Sequence, residues 1–403
     1  MYSQNKLSMF GIVKMRNIKL KVFLIFFIPL FFFSCEKEDI EPEINQRTIF
    51  MYLPWSTNLT NYFYNNISDM EDAIKDKGLN NERVIVFLST SSSEAQMFEI
   101  VYRNGECSHS ILKEYENPSF TTEPGLTGIL NDMKTFAPAQ SYSMIIGCHG
   151  MGWLPVMQTR SKSETSFIYH WEHTDVPMTR FFGGLTADYQ TDISTLTNSL
   201  INSGLSMEYI LFDDCYMSSL EVAYELRYVT NHIIACPTEI MVFGMPYATM
   251  GKYLLSENPN YKAICESFYQ FYSTYQYPYG TLAVTDCREL DNLAALMKQI
   301  NRQYTFDYTQ EKHIQRMDGY NPIIFYDYGD YVKILCGKDA NLFQQFSETL
   351  SKVVPYKTHT EEYYSAICGA ISIYQYSGIT TSEPSTNIKA KDYNQTSWYR
   401  DTH

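Results

Sequence analysis

From residue 48 onward the chain alternates short apolar runs with amphipathic stretches. TIFMYLPW (48–55) is β-rich, and ERVIVFLST (82–90) is a continuous apolar run of the kind buried on both sides. Between them, NLTNYFYNNISDMEDAIKDKG (58–78) repeats its apolar residues at helical spacing and stops at a glycine. QMFEIVYRNG (96–105) predicts a strand pairing nearby, and residues 122–138 predict a helix. SMIIGCH (143–149) is again a strand, DISTLTNSLINSG (192–204) a helix capped by Asp192, and EYILFDDC (208–215) a strand. SLEVAYELR (219–227) follows as helix and HIIACPTE (232–239) as strand. Strands and helices alternating at this spacing predict an α/β fold with a mostly parallel central sheet, flanked by helices through right-handed crossovers. Beyond residue 258 the pattern turns largely helical (YKAICESFYQFYSTYQ, LAALMKQINRQYT, LFQQFSETLSKVV), with TLAVTD and GAISIYQY as strands, and predicts a helical C-terminal extension. Residues 154–191 are polar, rich in Thr and Ser, and lack periodicity; loops of that length inside a domain are uncommon and often functional.

Two of the predicted strands end in chemistry. The first runs out at His149 and the second at Cys215. In open parallel sheets ligands bind beyond the carboxyl ends of the strands, so adjacent strands would bring a thiol and an imidazole to one edge. That pairing makes a cysteine a good nucleophile: the imidazole promotes the thiolate and later protonates the leaving group. Gly147, Gly150 and Gly152 surround His149. The Gly150 amide and that of Cys215 are the natural oxyanion donors. Asp213 and Asp214 read either as caps of the following helix or as a pocket wall for a cationic side chain. Alternation along the strand points Cys148 away from His149 and into the core. The competing reading is a core cysteine and a surface histidine.

The first 34 residues hold five cations and no acid, so their removal takes the formal charge from −14 to −19. A basic stretch from Met15, an apolar run and Ser34–Cys35 describe a secretory signal over residues 1–34. It resembles a bacterial lipoprotein signal in which Cys35 becomes the lipidated first residue. The acidic stretch that follows, within residues 35–46, reads as a tether, and residues 47–403 as the folded domain. The expected location is therefore exported and lipid-anchored at a bacterial cell envelope. An acidic chain without clustered Lys or Arg beyond the leader argues against a nucleic-acid partner. Apolar residues make up 45% of the chain, enough for a large core. None of the nine cysteines forms a CxxC pair, which leaves zinc and thioredoxin chemistry without support; most are expected as free core thiols. His170, Glu172, His173 and Asp175 crowd together without helical periodicity and read as loop residues rather than a metal site. Asp286, Glu289 and Asp291 could suggest a carboxylate pair for glycoside chemistry, but capping by Asp291 of the helix that begins LAALMKQI is the preferred reading.

HGMGW (149–153) resembles the His-Gly-x-Gly-Trp element of the clostripain family of cysteine peptidases, and FDDCYMSSLEVAYEL (212–226) its Asp-x-Cys-x-Met element with the helix that follows. TRFFGG (179–184), ACPTEIMVFGMPY (235–247), FYDYGDY (325–331) and AISIYQY (370–376) resemble further segments, so the likeness spans about residues 47 to 400. It implies a caspase-like fold, peptide or protein substrates, His149 as general acid/base and Cys215 as nucleophile. Asp213 becomes a wall of the pocket that receives an Arg or Lys side chain. Where a second acid is expected, the loop reads IMVFGMPY, with Glu239 the one carboxylate nearby, so a less charged preference stays open. Family members are often activated by cleavage between the two elements; Arg160 and Lys162 stand in that interval. Some members respond to calcium, but no Ca²⁺ loop is recognisable and no cofactor is expected. A non-catalytic surface lipoprotein binding peptide or glycan through the same fold is the alternative.

Overall fold

The computed structural model describes residues 44–156, 168, 169, 172, 183, 184 and 187–403. The leader, Cys35, Arg160, Lys162, His170, His173, Asp175 and most of TRFFGG lie outside the described residues. β1 (Asn45–Leu53) begins at Asn45, within the residues expected as tether.

The chain continues through α1 (Thr60–Lys77), β2 (Glu82–Ser89), β3 (Glu94–Arg103), β4 (Glu106–Glu116), α2 (Glu123–Phe136), β5 (Ala139–Gly147), α3 (Ile193–Asn202), β6 (Met207–Asp213), α4 (Leu220–Leu226) and β7 (Thr230–Ala235). Then come α5 (Tyr247–Leu254), α6 (Tyr261–Tyr272), β8 (Thr281–Asp286), α7 (Leu290–Gln303), β9 (Tyr326–Asp327), α8 (Tyr328–Cys336), α9 (Ala340–Val353) and β10 (Tyr356–His359). The last elements are β11 (Glu362–Ser365), β12 (Gly369–Ser372), β13 (Thr380–Thr381) and α10 (Ser397–Thr402).

Among the described residues the central sheet has nine strands in the order β10-β8-β7-β6-β5-β1-β2-β3-β4. Its middle, β7-β6-β5-β1-β2, is parallel throughout. Both edges are antiparallel. The expected sheet is therefore present at the centre, and the whole is mixed. The C-terminal region supplies the helices α7 and α9 read from its pattern. It also adds β8 and β10 to the sheet, so it completes the domain instead of hanging from it. β4 escaped the sequence reading because its side chains face solvent at the edge and show no apolar run; the Asn104–Gly105 turn joining it to β3 is its one local signal.

Alternation along the strands sorts the core into two layers. Phe50, Met144, Ile146, Ile210 and Phe212 face one side, packed by α2, α3, α4, α7 and α9. Ile49, Met51, Ile145 and Leu211 face the other, under α1, α5 and α6. α1 buries Phe63, Ile67, Met70 and Ile74, one stripe at helical spacing. It meets α5 closely: a Cβ on Gly251 would stand 2.7 Å from that of Ala73. Of the eight described cysteines all are free, six of them buried, as expected for core thiols.

Candidate active site

β5 and β6 are neighbours, and their register pairs Gly147 with Asp213. Two residues further along each strand direction stand His149 and Cys215. The edge is the carboxyl edge, beside the point where strand order reverses: β1 leads outward to β2, whereas β5 returns to its other side. The loop after β1 therefore reaches the same rim.

Gly150 shows how tightly the two segments meet. A Cβ there would lie 2.3 Å from the Cys215 carbonyl oxygen, 2.9 Å from Asp214 Cβ and 3.1 Å from the Cys215 nitrogen, which leaves room only for glycine. Gly152 has φ at 60°, and a Cβ there would stand 3.0 Å from the Phe325 ring and 3.1 Å from the Tyr216 carbonyl oxygen, so a side chain would be both strained and crowded.

Each side chain at this rim is held by named partners. Cys215 Sγ accepts the Ile240 N–H at 3.3 Å and lies 3.8 Å from the Ile240 carbonyl oxygen, to which the thiol donates. His149 Nε2 lies 2.8 Å from Asn58 Oδ1. Because an amide oxygen only accepts, Nε2 carries the proton in the neutral ring and Nδ1 keeps the lone pair. Cys215 and His149 have no solvent exposure.

The two acids before Cys215 part ways by alternation. Asp214 falls on the Cys148 face, where its carboxylate accepts the Cys148 N–H at 2.7 Å and cross-links the ends of β5 and β6. Asp213 falls on the Cys215 face and accepts from the Met245 N–H (2.9 Å) and the Tyr247 hydroxyl (3.1 Å). Neither caps α4; Ser219 does, accepting from the Val222 N–H. Cys148 lies in the first core layer and Cys215 in the second, so the thiol beside His149 does point away from it.

Glu239 is equally occupied. One oxygen accepts the Tyr216 hydroxyl at 2.7 Å and the other the Ala366 N–H at 3.0 Å. Tyr216 follows Cys215 with φ at 62°, an uncommon conformation for a non-glycine residue. Its N–H bonds to the Thr238 carbonyl at 3.0 Å, and its ring stacks on Phe325 at 4.9 Å. Phe325 is anchored in turn by Asp318, whose carboxylate accepts the backbone N–H groups of Tyr320, Ile324 and Phe325. Burial pushes that carboxyl up to about 7 against those three bonds.

No group of His, Cys, Asp and Glu suited to a metal occurs among the described residues. Of the predicted cluster, Glu172 accepts from the Tyr169 N–H. Asp192 begins α3 but turns its carboxylate to the Val156 N–H instead of capping. Asp291 does not cap α7 as expected: it lies inside the first turn and pairs with Arg227 at 2.9 Å, while Asp286 pairs with Arg288.

The sequence matches the clostripain (C11 peptidase) family over residues 51–401, which is most of the chain. The protein belongs to the clostripain family. It is a cysteine-type peptidase with that family's caspase-like α/β architecture. A secreted C11 cysteine protease from Bacteroides thetaiotaomicron, "iotapain", is 52% identical. It aligns with a TM-score of 0.83 over 90% of this chain and 100% of its own. A clostripain from Bacteroides thetaiotaomicron ATCC 29148, solved in complex with the peptide inhibitor BTN-VLTK-AOMK, is 55% identical. Its TM-score is 0.54, covering 55% of this chain and 99% of that one. An inactive zymogen C11 protease from Parabacteroides distasonis is 25% identical, with a TM-score of 0.74 over 90% and 99%. No curated protein matches.

The sequence reading missed Asn58, Tyr216, Phe325 and Asp318. Asn58 sits in an ordinary polar stretch before α1, and Phe325 and Asp318 lie more than 100 residues beyond Cys215. Only the pairing of distant strands brings them to one rim.

Proposed function

We propose that this clostripain-family peptidase is an exported, lipid-anchored endopeptidase that cleaves after Lys or Arg, with Cys215 as nucleophile and His149 as general acid/base. The observation that carries the assignment is the register of β5 on β6, with Gly150 closed onto the Cys215 backbone. In the proposed reaction His149 takes the Cys215 proton, and the thiolate attacks the scissile carbonyl carbon. The resulting oxyanion is held by the backbone N–H groups of Gly150 and Cys215. Collapse breaks the C–N bond as the imidazolium protonates the departing amine. A water molecule, deprotonated by His149, then hydrolyses the thioester and returns the thiol. This chemistry calls on no cofactor.

Basic specificity draws on Asp213, whose carboxylate lies on the Cys215 face of the sheet. It also draws on the relative bound to an inhibitor whose peptide portion, VLTK, ends in lysine. Glu239 is the other carboxylate nearby, and in both acids each oxygen already accepts from a protein donor. The apolar loop IMVFGMPY adds no second charge.

Activation by cleavage at Arg160 or Lys162 fits the full burial of His149 and Cys215 in the intact chain and the zymogen form of the Parabacteroides relative. Export fits the secreted character of the Bacteroides relative, and the anchor rests on Cys35 in its signal context.

Fluorogenic peptides carrying Lys, Arg, Leu or Phe before the reporter decide the specificity. Lys and Arg peptides are expected to be turned over at least about 100-fold faster, judged by kcat/KM. Asp213→Asn should remove roughly 10-fold or more of that preference, mainly through KM. Equal turnover of the Leu peptide removes the basic specificity. On the same preparation, N-terminal sequencing after incubation should find a new terminus following residue 160 or 162, and mass spectrometry an acylated Cys35. A single unprocessed chain, or an unmodified Cys35, discards the corresponding element.

A further inference from the structure

The loop between β1 and α1 carries two features that its composition does not explain. Thr57 adopts φ of 56°, although it is β-branched and such residues are genuine outliers there. The next residue, Asn58, places Oδ1 2.8 Å from His149 Nε2 across 91 residues of sequence. The turn is tight: the Asn58 N–H bonds back to the Ser56 carbonyl at 2.6 Å. Ser56, fully buried, donates its hydroxyl to the Pro54 carbonyl at 2.9 Å. Leu59, also fully buried, accepts at its carbonyl the N–H groups of Tyr62 and Phe63 that open α1. The strained residue is thus clamped between two buried anchors, and the consequence of the strain is where the Asn58 amide points. Strain of this kind persists where the surroundings over-determine it, most often at functional sites.

We propose that Asn58 is a positioning residue for the peptidase reaction, holding the His149 ring in the orientation and tautomer that direct Nδ1 at Cys215. The inference rests on the assignment of Cys215 and His149 above. An imidazole acts as base toward a thiol only through the nitrogen that bears the lone pair. By accepting from Nε2–H, Asn58 fixes that nitrogen as Nδ1, and by the same bond it favours the imidazolium that forms when the thiol ionises. A side-chain amide does this without a full charge. An acid in its place would tighten the imidazolium and make it a poorer proton donor to the departing amine.

The test compares Asn58→Ala and Asn58→Asp with the parent full-length protein after incubation. It reads kcat and KM on one peptide and the rate of iodoacetamide alkylation of Cys215 as a function of pH. Asn58 is exposed and its backbone is secured by neighbours, so both variants are expected to fold, and thermal melts check this. Asn58→Ala should lower kcat roughly 10- to 100-fold with KM within about threefold. It should also move the alkaline limb of the alkylation profile to lower pH, since the imidazolium loses an acceptor. Asn58→Asp should move that limb to higher pH. A kcat within twofold of the parent together with an unshifted limb in both variants overturns the proposal. An effect confined to KM overturns it too, placing Asn58 against substrate instead. Failure of the underlying assignment looks different: the alkyl label maps to a cysteine other than Cys215, or Cys215→Ala still turns over peptide.

Discussion

Cys215→Ala is expected to abolish peptide hydrolysis, with kcat falling at least about 10⁴-fold, and His149→Ala to cost at least about 10³-fold. Cys148→Ala, by contrast, stays within about threefold of the parent. The three residues lie within one rim, and two of them are adjacent in sequence, so the contrast tests geometry and not neighbourhood. Cys215 lies on the sheet face that carries Asp213, and its sulfur receives the Ile240 N–H. Cys148 lies on the opposite face in the apolar layer with Ile146 and Phe212, its own backbone N–H tied to Asp214. Replacing Cys148 removes one buried sulfur and its 3.7 Å bond to the Asp214 carboxylate, and leaves the bonded backbone untouched. Its cost is then a small loss of stability, visible in a melt and absent from kcat. A kinetic assay on the three variants settles the matter: activity that survives Cys215→Ala and disappears with Cys148→Ala assigns the wrong thiol.

Gly150→Ala is expected to remove about 10²-fold or more in kcat and about 1–3 kcal/mol of stability, although it adds a single methyl. That methyl would sit 2.3 Å from the Cys215 carbonyl oxygen and 3.1 Å from the Cys215 nitrogen. The obstacle is backbone, not the end of a flexible side chain, so relief requires the β5 and β6 termini to move apart. Such movement displaces the Gly150 and Cys215 amides proposed for the oxyanion together with the nucleophile itself. A displacement of about 1 Å is enough for a loss of this size. Steady-state kinetics and urea titration of the same variant separate the two effects. If kcat stays within twofold while stability drops, the close approach is only structural. Gly128, on the exposed part of α2 with no atom within 4 Å of its would-be Cβ, is the matched control, and its alanine variant should leave kcat unchanged.

Much of the molecule is legible in its pattern of apolar residues. β2, β5 and β6 are continuous apolar runs because both of their faces are covered, and α1, α2 and α7 show helical spacing because only one stripe is buried. The terminal His149 and Cys215 are legible for the same reason: a polar residue after an unbroken apolar run marks the strand's carboxyl end. Edge strands are another matter. β4 is solvent-facing and β10 is four residues long, so neither has a pattern to find. Glu239 illustrates the same limit at the site. Its charge suggests a pocket wall, whereas its partners, Tyr216 and the Ala366 N–H, lie 23 and 127 residues away.

By itself the sequence determined most of the segments that become strands and helices, the sulfur and imidazole proposed for the reaction, and the family to which the chain belongs. Those properties are local, because the period of burial and the spacing of a motif are written within a dozen neighbouring residues. Only the tertiary structure decided that β1, β5 and β6 lie side by side, that Asn58 bonds to His149, and that Asp213 and Asp214 serve opposite faces. Such contacts join positions separated by tens of residues. They arise from the order in which strands hydrogen-bond across the sheet, which no local stretch of side chains encodes.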